Sequence, residues 1–195
     1  MYYLLVLSIG VERLAELIVS KRNARRAFAH GGKEFGHNHY PVMVTIHTAL
    51  LLGCVLEVWA LHRPFLPWLG WPMLVLVTLS QVLRWWCVTT LGHRWNTRVI
   101  VVAQAPLVRR GPYRWLHHPN YVAVVVEGVA LPLVHTAWLT AACFTVANAL
   151  LLAVRIRVEN AALGYTHARA GDDAERSDEE ERRHESRRRR CRAQR

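Results

Sequence analysis

A chain of 195 residues with 52% apolar side chains and a net charge of +11 is more apolar than a soluble domain of this length usually is. Its cations stand directly beside hydrophobic runs rather than across a solvated platform, which argues against a nucleic-acid partner and for anionic lipid headgroups. The split along the chain is sharp. From Thr166 to Arg195 there are ten Arg and eight Asp or Glu, with no Leu, Ile, Val or aromatic residue. Such a segment cannot bury a core, so residues 166–195 are expected to be a disordered charged tail. It follows a membrane-embedded domain, residues 1–165, in which 15 Lys or Arg accompany six Glu.

Five apolar segments follow in order: Tyr2–Val19, Val42–Leu61, Trp68–Leu91, Tyr121–Val134 and Ala137–Val154. A helix crosses the hydrocarbon core with about 20 residues. All but the fourth come near that length. The fourth has 14, and only His135 and Thr136 separate it from the fifth, which predicts a tight hairpin, tilted or not fully spanning. The fold class expected is therefore all-α, an integral membrane protein with about five transmembrane helices. The first segment carries Glu12, Arg13 and Glu16 and has no basic leader or small-residue cleavage site, so it reads as a span and not as a removable signal peptide.

Orientation follows from the connectors. Lys21, Arg22, Arg25, Arg26 and Lys33 follow the first segment, and five Arg lie between residues 92 and 120. The 62–67 connector has only Arg63 and the 135–136 connector has no Lys or Arg. The positive-inside rule places the first and third connectors and the C-terminal tail in the cytoplasm, and the N-terminus outside. Most of the eight Trp fall near segment ends, where interfaces lie. Trp85 and Trp86 lie deeper, as pocket lining or, more simply, as helix packing. Cys54, Cys87 and Cys143 sit inside apolar runs and Cys191 in the tail. None forms a Cys-x-x-Cys pair, so they read as small buried hydrophobes rather than metal ligands or disulfides.

Glu12, Arg13, Glu16, Glu57, Arg84 and Glu127 all fall within apolar segments. Ions there face the bundle interior and pair with one another. For Glu57 and Arg84 a structural ion pair is the expectation. For Glu127, nine residues after His118, structural pairing and a polar ligand pocket are both open.

One connector is denser in chemistry than a turn requires. "RRGPYRWLHHPNY", residues 109–121, offers Arg109, Arg110, Arg114, His117, His118, Tyr113 and Tyr121, with Gly111-Pro112 as a turn and Pro119 permitting a new helix start. The fifth segment ends in "RIRVEN", where Arg155 and Glu159 are spaced i,i+4 on one helix face. A hairpin brings its two ends together. His118 and Tyr121 are therefore expected beside Arg155 and Glu159, at a membrane edge open to water and lipid. A basic loop that only binds headgroups is the plainer alternative.

At these residues the chain resembles the isoprenylcysteine carboxyl methyltransferase and phospholipid methyltransferase family. "GPYRWLHHPNY" is similar to its GPYR-x-x-RHP-x-Y signature, and "RIRVENAAL", residues 155–163, to its RI-x-x-EE-x-x-L segment. "SKRNARR" and "RWNTRVIVV" resemble a bacterial branch that is associated with type III polyketide synthases and O-methylates alkylpyrones or phenolic lipids. The resemblance covers about residues 1–165. The departures are His117 for an Arg, Asn160 for the second Glu and Ala123 where Gly is frequent. The C-terminal elements of the eukaryotic enzymes are replaced by the charged tail, which counts against a prenylcysteine acceptor more than against methyl transfer.

What the resemblance implies is S-adenosylmethionine-dependent O-methyl transfer to a lipophilic acceptor at the cytoplasmic membrane face. The acceptor would be an alkylpyrone, a phenolic lipid or a prenylcysteine carboxylate. His118, Pro119 and Tyr121, with Tyr113 and Arg114 of the GPYR element, map onto cofactor contacts. Arg155 and Glu159 map onto the catalytic segment, Arg155 holding the reacting oxygen and Glu159 acting as base or orienting Arg155. The partners implied are the lipophilic substrate, membrane lipids and a polyketide synthase pathway. Two rival readings are an NADPH-dependent lipid reductase of similar hairpin architecture and a non-enzymatic lipid-binding membrane protein.

Overall fold

The computed structural model describes residues 1–37, 39–102, 108, 110–162 and 164. Arg109, Cys191 and the charged tail lie outside the described residues. The helices are α1 (Tyr2–Ala29), α2 (His39–Ala60), α3 (Pro67–Leu91) and α4 (Pro119–Leu133), followed by α5 (Trp138–Ala162). Among them α2, α3 and α5 are long and apolar enough to cross a membrane. Helix α1 has the length but carries the three ionisable residues noted above, and α4 is a 15-residue apolar helix, about 22 Å long at 1.5 Å per residue.

The bundle has two distinct ends. At one, the Tyr2 hydroxyl donates to the Leu131 carbonyl at 3.2 Å. There too Thr136 Oγ1 donates to the Pro64 carbonyl at 2.8 Å. At the other end β1 (Lys33–Phe35) pairs antiparallel with β2 (Val99–Val101), Glu34 opposite Ile100. The first and third connectors thus meet at one end, and the N-terminus, the second connector and the α4–α5 turn meet at the other. The two strands are an addition to the all-helical expectation. Three residues each are too few to show an alternating pattern.

Apolar side chains point outward and ions point inward. On α1, Leu4, Leu7, Val11, Leu14 and Ile18 are exposed, at the spacing of one helix face, while Glu16, Ser20 and Asn23 are buried on the other. On α3, Val75, Leu79 and Val82 are exposed and Ser80 and Arg84 are buried. In water this arrangement would be unfavourable, whereas in lipid it is what the solvent demands. The same inversion explains Cys143. Expected to be buried, it is exposed on the apolar outer face, whereas Cys54 and Cys87 are fully enclosed. Trp85 and Trp86 are exposed too, and Trp86 meets Trp115 edge to face at 6.0 Å between ring centres.

The inward ions form one network across three helices. Glu127 of α4 accepts Arg13 of α1 at 2.7 Å and Arg84 of α3 at 3.2 Å. Glu16 accepts Arg13 and, at 3.5 Å, Arg84. Gln81 bridges the rim, accepting from Arg13 at 3.1 Å and donating to Glu12. Glu127 therefore has a structural role. Glu57 is separate: it accepts Arg63 at 2.8 Å and the Thr140 N–H and hydroxyl, both at 2.7 Å. A carboxylate on the first amides of α5 satisfies orphan donors and complements the helix dipole.

Two near-neutral ion clusters inside the bundle make a definite stability prediction. Glu127→Ala leaves the Arg13 and Arg84 guanidinium groups with Glu16 as their one remaining carboxylate and is expected to cost about 3 kcal/mol. Val125→Ala, at an exposed apolar position on the same helix, should change little. Thermal unfolding of both variants in lipid nanodiscs checks this, and equal midpoints would refute the role of the network.

Candidate functional site at the end of the hairpin

Helix α4 begins at Pro119, whose fixed φ suits the first helical position and whose missing N–H is no loss there. Asn120 and Tyr121 complete its first turn. The α4–α5 connection is tight, with Thr136 at φ 53°, and the two helices pack so closely that a Cβ on Gly128 would collide with the Phe144 ring. That closeness carries the far ends together. The Tyr121 hydroxyl donates to Glu159 Oε2 at 2.6 Å, and His118 Nδ1 lies 3.7 Å from the same oxygen. The His118 and Tyr121 rings stack at 5.2 Å with 17° between planes.

Arg155 stands one turn before Glu159 and is buried. Its guanidinium lies 6.0 Å from the Tyr121 ring centre. Nη2 donates to the Thr97 carbonyl at 2.8 Å and Nη1 to Met43 Sδ at 3.2 Å. Thr97 is itself fixed from α1, because its N–H donates to Ser20 Oγ at 3.0 Å. Arg155 is thus oriented by Thr97 and Met43, while Glu159 serves Tyr121 and His118.

The GPYR segment is a 3-10 turn, Gly111–Arg114, opened by Gly111 at φ 56°. There a Cβ would press on Thr90 Oγ1 and on Trp86 Nε1, the latter at 3.0 Å. Tyr113 tucks under the site beside Cys87, and burial, with Cys87 as neighbour, pushes its phenol well above its ordinary range. Glu159 and Tyr121 act on it electrostatically as well. Arg114 and His117 are exposed, and Pro119 is fully buried. So His118, Tyr121, Arg155, Glu159 and Tyr113 form one cluster, Pro119 shapes the backbone, and Arg114 lies at the rim. Among the described residues Asn120 Oδ1, in the first turn of α4, is buried without a hydrogen-bond partner.

Met43, Ser20 and Thr97 were not singled out from the sequence. For Thr97 a signal existed, since it lies within "RWNTRVIVV". Met43 sits in an ordinary apolar run, and nothing in its neighbours marks it.

Known proteins resemble this chain over most of its length. Residues 73–165 match the family model of the isoprenylcysteine carboxyl methyltransferase (ICMT) family, a span that holds most of α3, the GPYR turn and the whole hairpin. The chain is 39% identical over 164 residues to the uncharacterized protein YpbQ of Bacillus subtilis, covering 84% of this chain and 96% of that protein. It is 22% identical over 154 residues to an uncharacterized protein of Haemophilus influenzae, covering 78% and 89% respectively. The lipid-facing bundle, the matched span and the long relative lead to one conclusion: the chain belongs to the isoprenylcysteine carboxyl methyltransferase family, membrane methyltransferases that act on lipophilic substrates.

Proposed function

We propose that this protein is an S-adenosylmethionine-dependent O-methyltransferase whose acceptor is an alkylpyrone, a phenolic lipid or a prenylcysteine carboxylate, working at the cytoplasmic membrane face. The observation that carries the reading is the convergence of Tyr121, His118 and Glu159 beside Arg155 at the open end of the hairpin. Family methyltransferases generally use S-adenosylmethionine, and the residues present fit it. The part-exposed Glu159 carboxylate and the stacked His118–Tyr121 pair suit an ammonium group and a flat heterocycle. When bound, that cofactor supplies an electrophilic methyl group on a sulfonium sulfur.

The chain's own residues then position and exclude. Tyr121, held by Glu159, fixes one wall, and His118 completes it. Arg155 has five N–H donors, two of them engaged with Thr97 and Met43, so donors remain for an oxygen anion. Holding that anion in line and free of water is the main requirement of such a displacement. An apolar groove of about 60 Å³ runs along the same hairpin, lined by Val125, Val129, Phe144, Thr145, Asn148 and Ala149. Val125 lies one helical turn from Tyr121, which suits a lipid tail.

We assign five crossings to the bundle with the basic end in the cytoplasm. A reporter fused after Gly31, in the turn beyond α1, should read cytoplasmic, and one after His62 should read external. The opposite pair of readings overturns the orientation.

Four variants test the site. Tyr121→Phe and His118→Ala should weaken S-adenosylmethionine binding about tenfold, as loss of a hydrogen bond to a charged group does. Arg155→Ala should leave that binding within about twofold and lower turnover about 100-fold, the usual loss when one anion-holding donor is removed. Arg155→Lys should recover only part, because an ammonium cannot replace a planar fork. Calorimetry with S-adenosylmethionine and transfer assays on the three acceptor classes check these, and wild-type behaviour in all four would refute the assignment.

A further inference from the structure

The groove between α4 and α5 has a polar group in its lining that the bundle leaves unused. Val125, Thr145 and Ala149 form its outer rim and are exposed. Phe144 closes the inner side, packed against Gly128 and edge-on to the His47 ring at 5.4 Å. That side is therefore rigid. Next to Phe144 the lining includes Asn148, which is 2% exposed. Among the described residues its Oδ1 has no hydrogen-bond partner. At membrane depth no solvent satisfies an unpaired amide, so leaving it empty is costly. The Thr145 hydroxyl cannot serve as its donor, because its proton goes to the Ala141 carbonyl at 2.7 Å.

Three kinds of occupant could pair with this amide, and the surroundings favour one. A lone water would turn its remaining bonds toward hydrocarbon, since the rim is open to lipid. A helix of a second copy would have to come close, and polar contacts between membrane helices rely on small residues at the interface. Here Val146 and Leu150, on the outer face of α5, are large and exposed. A single hydrocarbon chain needs neither. The groove is also continuous with the site. Val125 lies one turn beyond Tyr121, and Asn148 lies seven residues before Arg155 on the same buried face of α5. Two helical turns separate Asn148 from the arginine by about 10 Å, roughly eight extended carbon–carbon bonds.

We propose that the groove binds the acceptor's own chain and that Asn148 selects a chain carrying a hydroxyl part-way along it. A hydroxyl both donates and accepts, so it meets either end of the amide, whose terminal torsion is broad. The inference rests on the methyl-transfer reading for the reacting end, and adds what the far part of the acceptor must carry.

The test scans the position of the hydroxyl. Full-length protein in lipid nanodiscs is titrated with radiolabelled octadecanoate, whose carboxylate stands in for the reacting oxygen, with empty discs as the control. An octadecanoate hydroxylated about eight carbons from the carboxylate should bind about tenfold more tightly than the plain acid, one hydrogen bond's worth. The isomer hydroxylated beside the carboxylate should gain less than about twofold. Asn148→Leu should erase the mid-chain preference, keep the plain acid within about twofold, and melt no lower than the wild type, since it removes an unpaired amide. In transfer assays an alkylresorcinol with a mid-chain hydroxyl should show kcat/KM about tenfold above its plain analogue, again only with Asn148 present. A preference that ignores position or survives in Asn148→Leu overturns the proposal. So does a lower melting point in the variant, or a wild-type dimer that the variant makes monomeric, because the amide is then bonded elsewhere. Binding preference without any difference between the two resorcinols assigns the groove to a membrane lipid and overturns it as well. If the wild type transfers methyl to no acceptor, the reading of the reaction falls, while the position scan still decides what Asn148 meets.

Discussion

A guanidinium in hydrocarbon must find a carboxylate, and this requirement organises the bundle. Arg13, Glu16, Arg84 and Glu127 come from three helices far apart in sequence and satisfy one another at the centre. Apolar contacts cannot set the register of helices whose outer surfaces are equally at home in lipid. Directional bonds between ions can. Once Glu127 is held by Arg13 and Arg84, the rotation of α4 is fixed, and with it the direction in which Tyr121 points six residues earlier. The close packing at Gly128 then brings α5 alongside, and its final turns carry Arg155 and Glu159 to the same place.

The site is accordingly supported from both sides by parts that do no chemistry. Ser20 of α1 holds Thr97, and Thr97 holds Arg155. Asn23, one turn further along α1, donates to the Trp95 carbonyl at 2.8 Å. The basic end of α1 thus serves less as a connector than as a bracket for the loop that orients the arginine. At the opposite end, Glu57 ties α2 to the start of α5. Each end of α5 is anchored by a polar bond to another element, which keeps a helix in fluid surroundings from rotating its site residues away.

Much of this was legible in the sequence, and the remainder has physical reasons for being hidden. Segment positions, the hairpin and the approach of His118 and Tyr121 to Arg155 and Glu159 follow from apolar runs and from i,i+4 spacing, both local signals. The helices run beyond the apolar segments in a consistent way. Helix α1 continues past Val19 to Ala29, and α5 past Val154 to Ala162, because Arg, Lys, Ala and Glu are good helix formers that continue a span into water. Hydropathy marks where lipid ends, not where the helix ends. Cys143 and Trp86 faced lipid because an apolar residue in a membrane helix has two equally apolar destinations. The link from Ser20 through Thr97 to Arg155 depends on contacts between segments more than 50 residues apart, and no spacing rule reports those.

The shared charge network also bears on how the chain is made. Helix α1 is synthesised before α4, yet the carboxylate that completes its pairing is on α4, more than 100 residues later. Meanwhile Arg13 and Glu16, three positions apart on one face, neutralise each other within α1. That internal pair lowers the cost of waiting in or beside the bilayer, and the arrival of Glu127 then draws α1, α3 and α4 together. The hairpin follows α1 and α3 in synthesis, so the helices that carry the chemistry are also the ones that bring Glu127 to the waiting arginines.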